Sequence, residues 1–189
     1  MFAQTTSPLG SNLESIEPYD YQTDLIGGYK IVFKVDKDTE YLYLARKGKT
    51  IAELSSMSKG LPYKNLGYVG ADFKEYFVLV HSFGSGNPHQ IELIKKSTGK
   101  NLLSRDACWI DVVEKKEVLL YSDEGEPSAK DKMILYNIRT GRKQYFHFPR
   151  DIFDGPEVLY RIKIKQLTDK FLIIEYEANK YHKTKKYII

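Results

Sequence analysis

Short apolar runs separated by tight polar turns recur along this chain. The stretches LGYVGADFKEYFVLVHSF (66–83) and CWIDVVEKKEVLLYSDE (108–124) each predict two strands joined by a turn. The turns are expected near Asp72–Glu75 and near Glu114–Glu117. Apolar runs of this length, rich in branched and aromatic residues and bounded by polar residues, are typical of β-strands. These two stretches therefore predict two β-hairpins of similar construction.

Each of these two hairpins is followed along the chain by a further hairpin, and the two further hairpins resemble each other. HQIELIKKSTGKNLLS (89–104) and KMILYNIRTGRKQYFHF (132–148) both place Thr-Gly and then a basic residue between two strand-like runs. Glycine adopts positive φ at little cost, so Thr98-Gly99 and Thr140-Gly141 are predicted to close equivalent hairpins 42 residues apart. In this alignment Phe77–Val80 matches Val118–Tyr121, with the second unit having the longer middle loop.

The first and last segments repeat the pattern less regularly. Residues 29–55 and 160–189 each predict three strands, and residues 13–27 are expected to supply the strand that completes the last unit. Their turns are predicted at Asp36–Thr39, Lys47–Gly48, Leu167–Lys170 and Ala178–Tyr181. Residues 52–61 and 149–158 are expected to hold a short helical turn at most, because no segment keeps a 3.6-residue apolar period. The pattern predicts an all-β protein.

A unit of about forty-two residues with four strands resembles a β-propeller blade. The resemblance covers residues 29–189 and is similar in kind to the divergent propeller repeats of exported bacterial proteins. The WD and kelch signatures are absent, since Trp109 is followed by Ile110. The resemblance implies a compact four-bladed β-propeller, or a propeller-like ring of four-stranded antiparallel units. A β-sandwich is the main alternative, and a piece of a larger propeller is another.

The domain organisation expected from this pattern is simple. Residues 1–12 are predicted to be a flexible leader and residues 13–189 a single all-β repeat domain. The leader resembles the remainder of a secretory signal, so the protein is expected to be exported to the periplasm or the cell surface, with a cytoplasmic location as the alternative. No stretch has the ~20 apolar residues needed to span a bilayer.

Composition narrows the range of functions. Fifteen Tyr and nine Phe in 189 residues favour strands, and the lone Cys108 excludes an intrachain disulfide. The net charge of +4 is concentrated in residues 160–189, where eight Lys or Arg stand against three Asp or Glu. A solvated strand face explains this excess better than a nucleic-acid site, so no nucleic-acid partner is expected.

Two loops are the candidate binding elements. Residues 83–89 and 123–131 connect the second and third strands of adjacent units, so both should emerge at the same end of the molecule. Small residues in the first loop leave room for close approach to a partner, and a rigid scaffold with variable loops is typical of recognition. The predicted partner-binding residues are Phe83, Gly84, Ser85, Gly86, Asn87, His89, Asp123, Glu124 and Glu126.

The chain shows no recognisable catalytic or metal-binding motif. The four histidines have no H-x-H or H-x-x-x-H spacing, and a two-histidine site at His81 and His89 is a minor alternative to ordinary imidazoles. Ser85 lies in GSG without the G-x-S-x-G elbow. No metal and no cofactor are therefore expected. The predicted function is a non-catalytic binding protein for a protein partner, including an inhibitor or immunity-type protein.

Two other functions remain open at this point. Tyrosines on strand surfaces also suit carbohydrate stacking, so a carbohydrate-binding module is the first alternative. A hydrolase that pairs Asp123 or Glu126 with a histidine is the second alternative. The sequence does not decide the oligomeric state.

Overall fold

The computed structural model describes residues 22–84, 86–152, 156–178 and 180–189, and these residues form antiparallel β-structure almost throughout. The strands are β1 (Gln22–Leu25), β2 (Tyr29–Asp36), β3 (Thr39–Arg46), β4 (Lys49–Ser58), β5 (Tyr68–Asp72), β6 (Tyr76–His81), β7 (Gln90–Lys95), β8 (Lys100–Asn101), β9 (Ala107–Val113), β10 (Val118–Asp123), β11 (Lys132–Asn137), β12 (Arg142–His147), β13 (Ile162–Leu167), β14 (Phe171–Ala178) and β15 (Tyr181–Ile188). The fold class is all-β, as the sequence predicted.

Helical structure is confined to segments of six residues or fewer in the described residues. The α-helix α1 spans Tyr63–Leu66, and 3-10 turns occupy Glu114–Lys116, Pro127–Ala129 and Pro156–Arg161. In these parts of the chain no helix has the length and apolar character to span a membrane. Residues 52–58, where at most a helical turn was expected, instead belong to strand β4.

The strands form four successive antiparallel units. Unit 1 is β1–β4, unit 2 is β5–β8, unit 3 is β9–β12 and unit 4 is β13–β15, with each strand pairing to the next. Units 2 and 3 are joined into one sheet by a single registered pair, Gln90 with Cys108. The expected turns at Asp36–Thr39, Lys47–Gly48, Leu167–Lys170 and Ala178–Tyr181 are all confirmed.

The assignment of the N-terminal strand was wrong. Gln22–Leu25 pairs antiparallel with β2 and so belongs to unit 1, whereas residues 13–27 had been expected to complete the last unit. A short connection from Leu25 to Tyr29 favours the neighbouring strand over a distant one, because sequential strands usually pair. Residues 13–21 of that prediction, and the leader 1–12, lie outside the described residues.

The alignment of the second strands was also wrong by one residue. Phe77 is buried in the cluster between units 1 and 2, whereas Val118 is buried between units 3 and 4, so the two side chains point in opposite directions. Leu119, which faces the preceding unit as Phe77 does, is the true equivalent. A slip of one residue moves every side chain to the other face of a strand. With the corrected register, the middle connections 82–89 and 124–131 have equal lengths.

The core consists of three apolar layers, each between consecutive units. Ile31 and Leu44 pack towards Phe77 and Leu79 between units 1 and 2. A second cluster lies between units 2 and 3, and a third between units 3 and 4. No buried cluster of the described residues joins unit 1 to unit 4. The units therefore pack face to face in chain order.

The burial patterns of the strands follow from this order. Strand β10 is buried at every position, because unit 3 has a neighbour on each face. Strand β14 in unit 4 alternates between buried and more exposed positions, since within the described residues only one face meets a neighbouring unit. The continuous apolar run VLLY and the alternating run FLIIEYEA are the sequence counterparts of these two situations.

The two ends of the stacked units differ. Tight turns meet at one end, called here the turn end, where Lys96 in the β7–β8 turn bonds to carbonyls of Ile26 and Phe73 from two other turns. The longer connections 82–89 and 124–131 and the links between units lie at the other end, called here the loop end. The candidate binding residues lie at the loop end.

Candidate functional site

The base of the first loop, residues 82–89, is fixed at its N-terminal side by α1. The amide of Ser82 donates to the carbonyl of Lys64 at 2.9 Å. His81 places Nδ1 3.0 Å from the Asn65 carbonyl and Nε2 3.0 Å from Glu92 Oε1. Burial opposes the charged ring, but the hydrogen bonds to Glu92 and Asn65 outweigh it, so the pKa of His81 is raised. Both ring nitrogens are therefore engaged within the protein.

The C-terminal side of the same loop is held by a residue from a distant connection. The hydroxyl of Tyr160 donates to the carbonyl of Asn87, and its ring meets the His89 ring edge-on, with centroids 4.9 Å apart. The amide of Trp109 donates to the His89 carbonyl at 2.8 Å. Burial and the charge of Lys64 lower the pKa of His89, so its ring is neutral near pH 7. His81 and His89 thus take separate partners.

The tip of the loop projects between these two anchors. Phe83 is 48% exposed and stacks parallel to the His81 ring, with centroids 6.4 Å apart. Gly84 has φ of +72° and the amide of Asn87 donates to its carbonyl at 3.1 Å, which closes a turn. Ser85 lies outside the described residues. The tip combines an exposed aromatic ring with a turn that leaves the space beside Gly84 open.

The predicted acidic residues of the second connection occupy three different environments. Asp123 is 2% exposed, and its Oδ1 accepts bonds from Ser104 Oγ at 2.5 Å and from the Gly125 amide at 3.1 Å. This carboxylate holds the start of the connection in place. Glu124 is exposed. Glu126 belongs to a polar cluster on the neighbouring strand.

Glu126 is held by two side chains of β12 and by Ser128 of its own connection. Lys143 Nζ lies 2.7 Å from Glu126 Oε2, and the hydroxyls of Tyr145 and Ser128 donate to Oε1. Burial raises the pKa of Glu126, but the bonds from Lys143, Tyr145 and Ser128 outweigh it and lower the pKa below its usual value. Glu126 is therefore ionised and engaged, and its partners include no histidine.

The two connections meet at one cavity of about 420 Å³. Pro88 from the first loop and Ala129 from the second line it, together with apolar side chains of the link between units 3 and 4. The other lining residues are Ser122, Asp123, Glu124, Asp131, Lys132, Phe148, Ile152, Val158 and Leu159. The prediction that both loops lie at one end is thus confirmed by their shared cavity. No group of three or more potential metal ligands occurs within the described ranges.

Sequence reasoning missed several exposed apolar residues at the loop end. Leu61 before α1, Val35 at the end of β2 and Tyr181 at the start of β15 are 50%, 38% and 71% exposed. Each of these residues stands next to a turn, where an apolar residue is unusual. An apolar residue beside a turn was therefore the signal in the sequence that could have indicated this exposed surface. With Phe83 they give the loop end more exposed apolar surface than its polar loops suggest.

Sequence reasoning also missed a tyrosine pair on unit 1. Tyr41 and Tyr43 stack with centroids 5.8 Å apart and an interplanar angle of 19°. Leu42 and Leu44 face unit 2, so the alternation of β3 places both tyrosines on the outward face of unit 1. The spacing of two residues along a strand was the signal for this pair.

No family model, curated protein or solved structure matches this chain.

Proposed function

We propose that this protein is a non-catalytic binding protein that presents its loop end to a protein partner. The observation that carries the proposal is the geometry of residues 82–89, whose two sides are anchored while Phe83 at the tip is 48% exposed. Aromatic residues, including Phe, are enriched at protein interfaces, and a few residues there carry most of the binding energy. The cavity shared with residues 122–132, to which Pro88 of the same loop contributes, gives the partner a concave surface at the same end of the molecule.

The scaffold we propose is a propeller-like array of four units. Face-to-face packing in chain order, with the longer connections of units 2 and 3 and the links between units at one end, supports this arrangement. A two-layer sandwich would leave one face of each sheet uncovered, whereas units 2 and 3 are covered on both faces. Such a scaffold holds its loops in a fixed relation to each other.

We further propose that the loop tip enters a cleft of the partner, as an inhibitor or immunity-type protein would. The positive φ of Gly84 and the empty space around it allow the tip to fit a narrow site. Anchoring at His81 and Asn87 reduces the conformational entropy lost on binding, which favours affinity. Export, expected from residues 1–12, makes the cell envelope the compartment in which to search for the partner.

Affinity capture with the intact protein and with Phe83→Ala tests the proposal. We expect Phe83→Ala to weaken capture by about tenfold or more, since a hot-spot residue contributes ~2 kcal/mol. Ile188→Ala is the matched control, because Ile188 is 76% exposed but lies at the turn end. Equal capture by Phe83→Ala and Ile188→Ala would remove the loop tip from the interface.

Carbohydrate binding is the second candidate, and one observation favours it. The Tyr41–Tyr43 pair lies on an outward sheet face, with Lys34 Nζ 5.2 Å from the Tyr43 ring centroid. Aromatic rings beside polar groups suit sugar stacking. Soluble glycans should then raise the melting temperature of the native protein and of Phe83→Ala but not of Tyr41→Ala/Tyr43→Ala. If the protein binds only a protein partner, soluble glycans should not change the melting temperature of any of these three proteins.

A further inference from the structure

A second and larger cleft lies at the turn end, away from the candidate loops. Its volume is about 810 Å³, and its walls come mainly from units 3 and 4, with Lys74 added from unit 2. Val118 and Leu135 contribute buried apolar surface to it, and Asn137 and Gln144 contribute amide groups. A volume of this size lies within the ~300–1,000 Å³ range of small-molecule sites.

Cationic side chains from three different hairpins converge on this cleft. Lys74 comes from the β5–β6 turn, Lys115 from the β9–β10 turn, and Arg139 and Arg142 from the turn and the second strand of the β11–β12 hairpin. Among the described residues none of these four side chains has an ion-pair or hydrogen-bond partner. Lys116 also lines the cleft, but its Nζ donates to the Leu167 carbonyl at 2.9 Å.

Acidic groups do not neutralise this cluster. Glu114, Glu117 and Asp169 line the same cleft, so five cations face three anions, and no ion pair within the described chain joins the two sets. Charges of one sign in a cleft with low-dielectric walls focus the potential and attract counter-ions. The excess positive charge at the cleft is thus available to an external anion.

We propose that this cleft binds a small ligand bearing phosphate groups. Arg139 and Arg142 lie on one hairpin, and planar guanidinium groups bind phosphate oxygens through paired hydrogen bonds. Lys74 and Lys115 approach from two other hairpins, so a ligand with more than one phosphate can contact several turns at once. The site is separate from the loop-end interface and does not depend on it.

Isothermal titration with inorganic pyrophosphate at low ionic strength tests this site. The native protein should bind pyrophosphate, and Arg139→Gln/Arg142→Gln should bind it about tenfold more weakly or worse. Arg105→Gln/Arg150→Gln is the matched control, since it removes the same charge from exposed arginines in the links between units at the loop end. The control should keep native affinity. Equal weakening in both double variants, or no binding by the native protein, would overturn the proposal.

Vesicles of phosphatidylglycerol in phosphatidylcholine distinguish a free phosphate ligand from a lipid headgroup. Binding of pyrophosphate alone indicates a free ligand, and vesicle binding that Arg139→Gln/Arg142→Gln abolishes indicates a headgroup. Vesicle binding that both double variants weaken equally would reflect general charge attraction and would overturn the proposal that the cleft is the binding site.

Lys74→Gln, which changes a residue of another hairpin, should also weaken the binding of pyrophosphate. Circular dichroism should be unchanged in every variant, because all the substituted residues are exposed.

Discussion

Lys96 Nζ lies 2.5 Å from Asp72 Oδ1, although the Lys96 side chain is only 1% exposed. The ammonium also donates to the carbonyls of Phe73 at 2.5 Å and of Ile26 at 2.9 Å. The second oxygen of Asp72 accepts the amide of Ile26 at 2.6 Å. Because Ile26 belongs to unit 1 and the others to unit 2, this buried cation joins the two units at the turn end.

The residue of unit 3 that is equivalent to Lys96 is the apolar Ile138. The amide of Lys96 donates to the Glu75 carbonyl, and the amide of Ile138 donates to the Glu117 carbonyl, both at 2.9 Å. These are equivalent bonds, 42 residues apart along the chain. Ile138 packs in the cluster between units 2 and 3, whereas Lys96 reaches the carbonyls of unit 1. The same backbone position therefore serves apolar packing in one unit and an ionic contact in the other.

Replacing Lys96 should destabilise the protein strongly. Lys96→Met leaves the Asp72 carboxylate and two carbonyls without their cation, and breaking a buried pair in this way costs about 3–5 kcal/mol. The free energy of unfolding in urea measures the change. Lys30→Met is the control, because Lys30 and Asp24 form an exposed pair worth about 0–1 kcal/mol. A loss no larger than that of the control would contradict the structural role of Lys96.

The two Thr-Gly turns should respond differently to the same substitution. Gly99 and Gly141 have φ of +72° and +75°, so alanine is strained by about 1–2 kcal/mol at either position. A Cβ on Gly99 would also lie 2.2 Å from the Ala52 Cβ of unit 1, whereas a Cβ on Gly141 meets nothing within 4 Å. Urea unfolding should therefore show a further loss of about 1–3 kcal/mol for Gly99→Ala over Gly141→Ala.

Ala52→Gly provides the check on that contact. It removes the methyl group that the new Cβ would meet, so it should cost less in the Gly99→Ala background than in the native protein. Additive effects of the two substitutions would contradict the proposed clash.

The stability of the loop anchor should depend on pH through His81. Its pKa is raised above 6.5 in the folded protein, so protonation stabilises the fold. The contribution is complete below about pH 6.5, the unfolded value, and is lost as the pH rises through the folded pKa. His81→Gln should remove this slope from the plot of unfolding free energy against pH. The exposed His182→Gln should retain it, and an unchanged slope in His81→Gln would contradict the assignment.

Removing one hydroxyl should loosen the candidate loop without unfolding the protein. Tyr160→Phe deletes the donor to the Asn87 carbonyl, so hydrogen exchange should become faster at the amides of Gly86, Asn87 and His89. The global free energy of unfolding should fall by about 1 kcal/mol or less. Tyr187→Phe is the matched control, since its hydroxyl donates to the His147 carbonyl at 2.8 Å, far along the chain from the loop. Unchanged exchange in Tyr160→Phe would mean that other contacts hold the loop.

Cys108 should be an unreactive thiol in the native protein. Burial, and then the charges of Glu124, Asp123 and Asp106, raise its pKa to about 11. Thiolate is the reactive form, so alkylation by iodoacetamide at pH 8 should be on the order of a hundredfold slower than for an ordinary thiol. Urea should restore the ordinary rate. Native labelling as fast as in urea would contradict the raised pKa of this partly buried thiol.

The sequence predicted the strands and turns where the signal was local. Thr98-Gly99 and Thr140-Gly141 form the expected hairpins because positive φ is a property of the glycine itself. The placement of Gln22–Leu25 and the match of Phe77 to Val118 failed, because both depend on which strands pair and which face is covered. Pairing is decided by contacts between residues far apart in sequence.

For the candidate site, the sequence determined which loops are long, polar and rich in glycine, and their equivalence placed them at one end. Only the tertiary structure decided that Asp123 lies inside, that Tyr160 anchors Asn87 across 73 residues of chain, and that Phe83 is left exposed between the anchors. It also decided that a methyl group fits beside Gly141 and not beside Gly99. Turn conformation is set by a few neighbouring residues, whereas burial and contact are set by the unit that packs alongside.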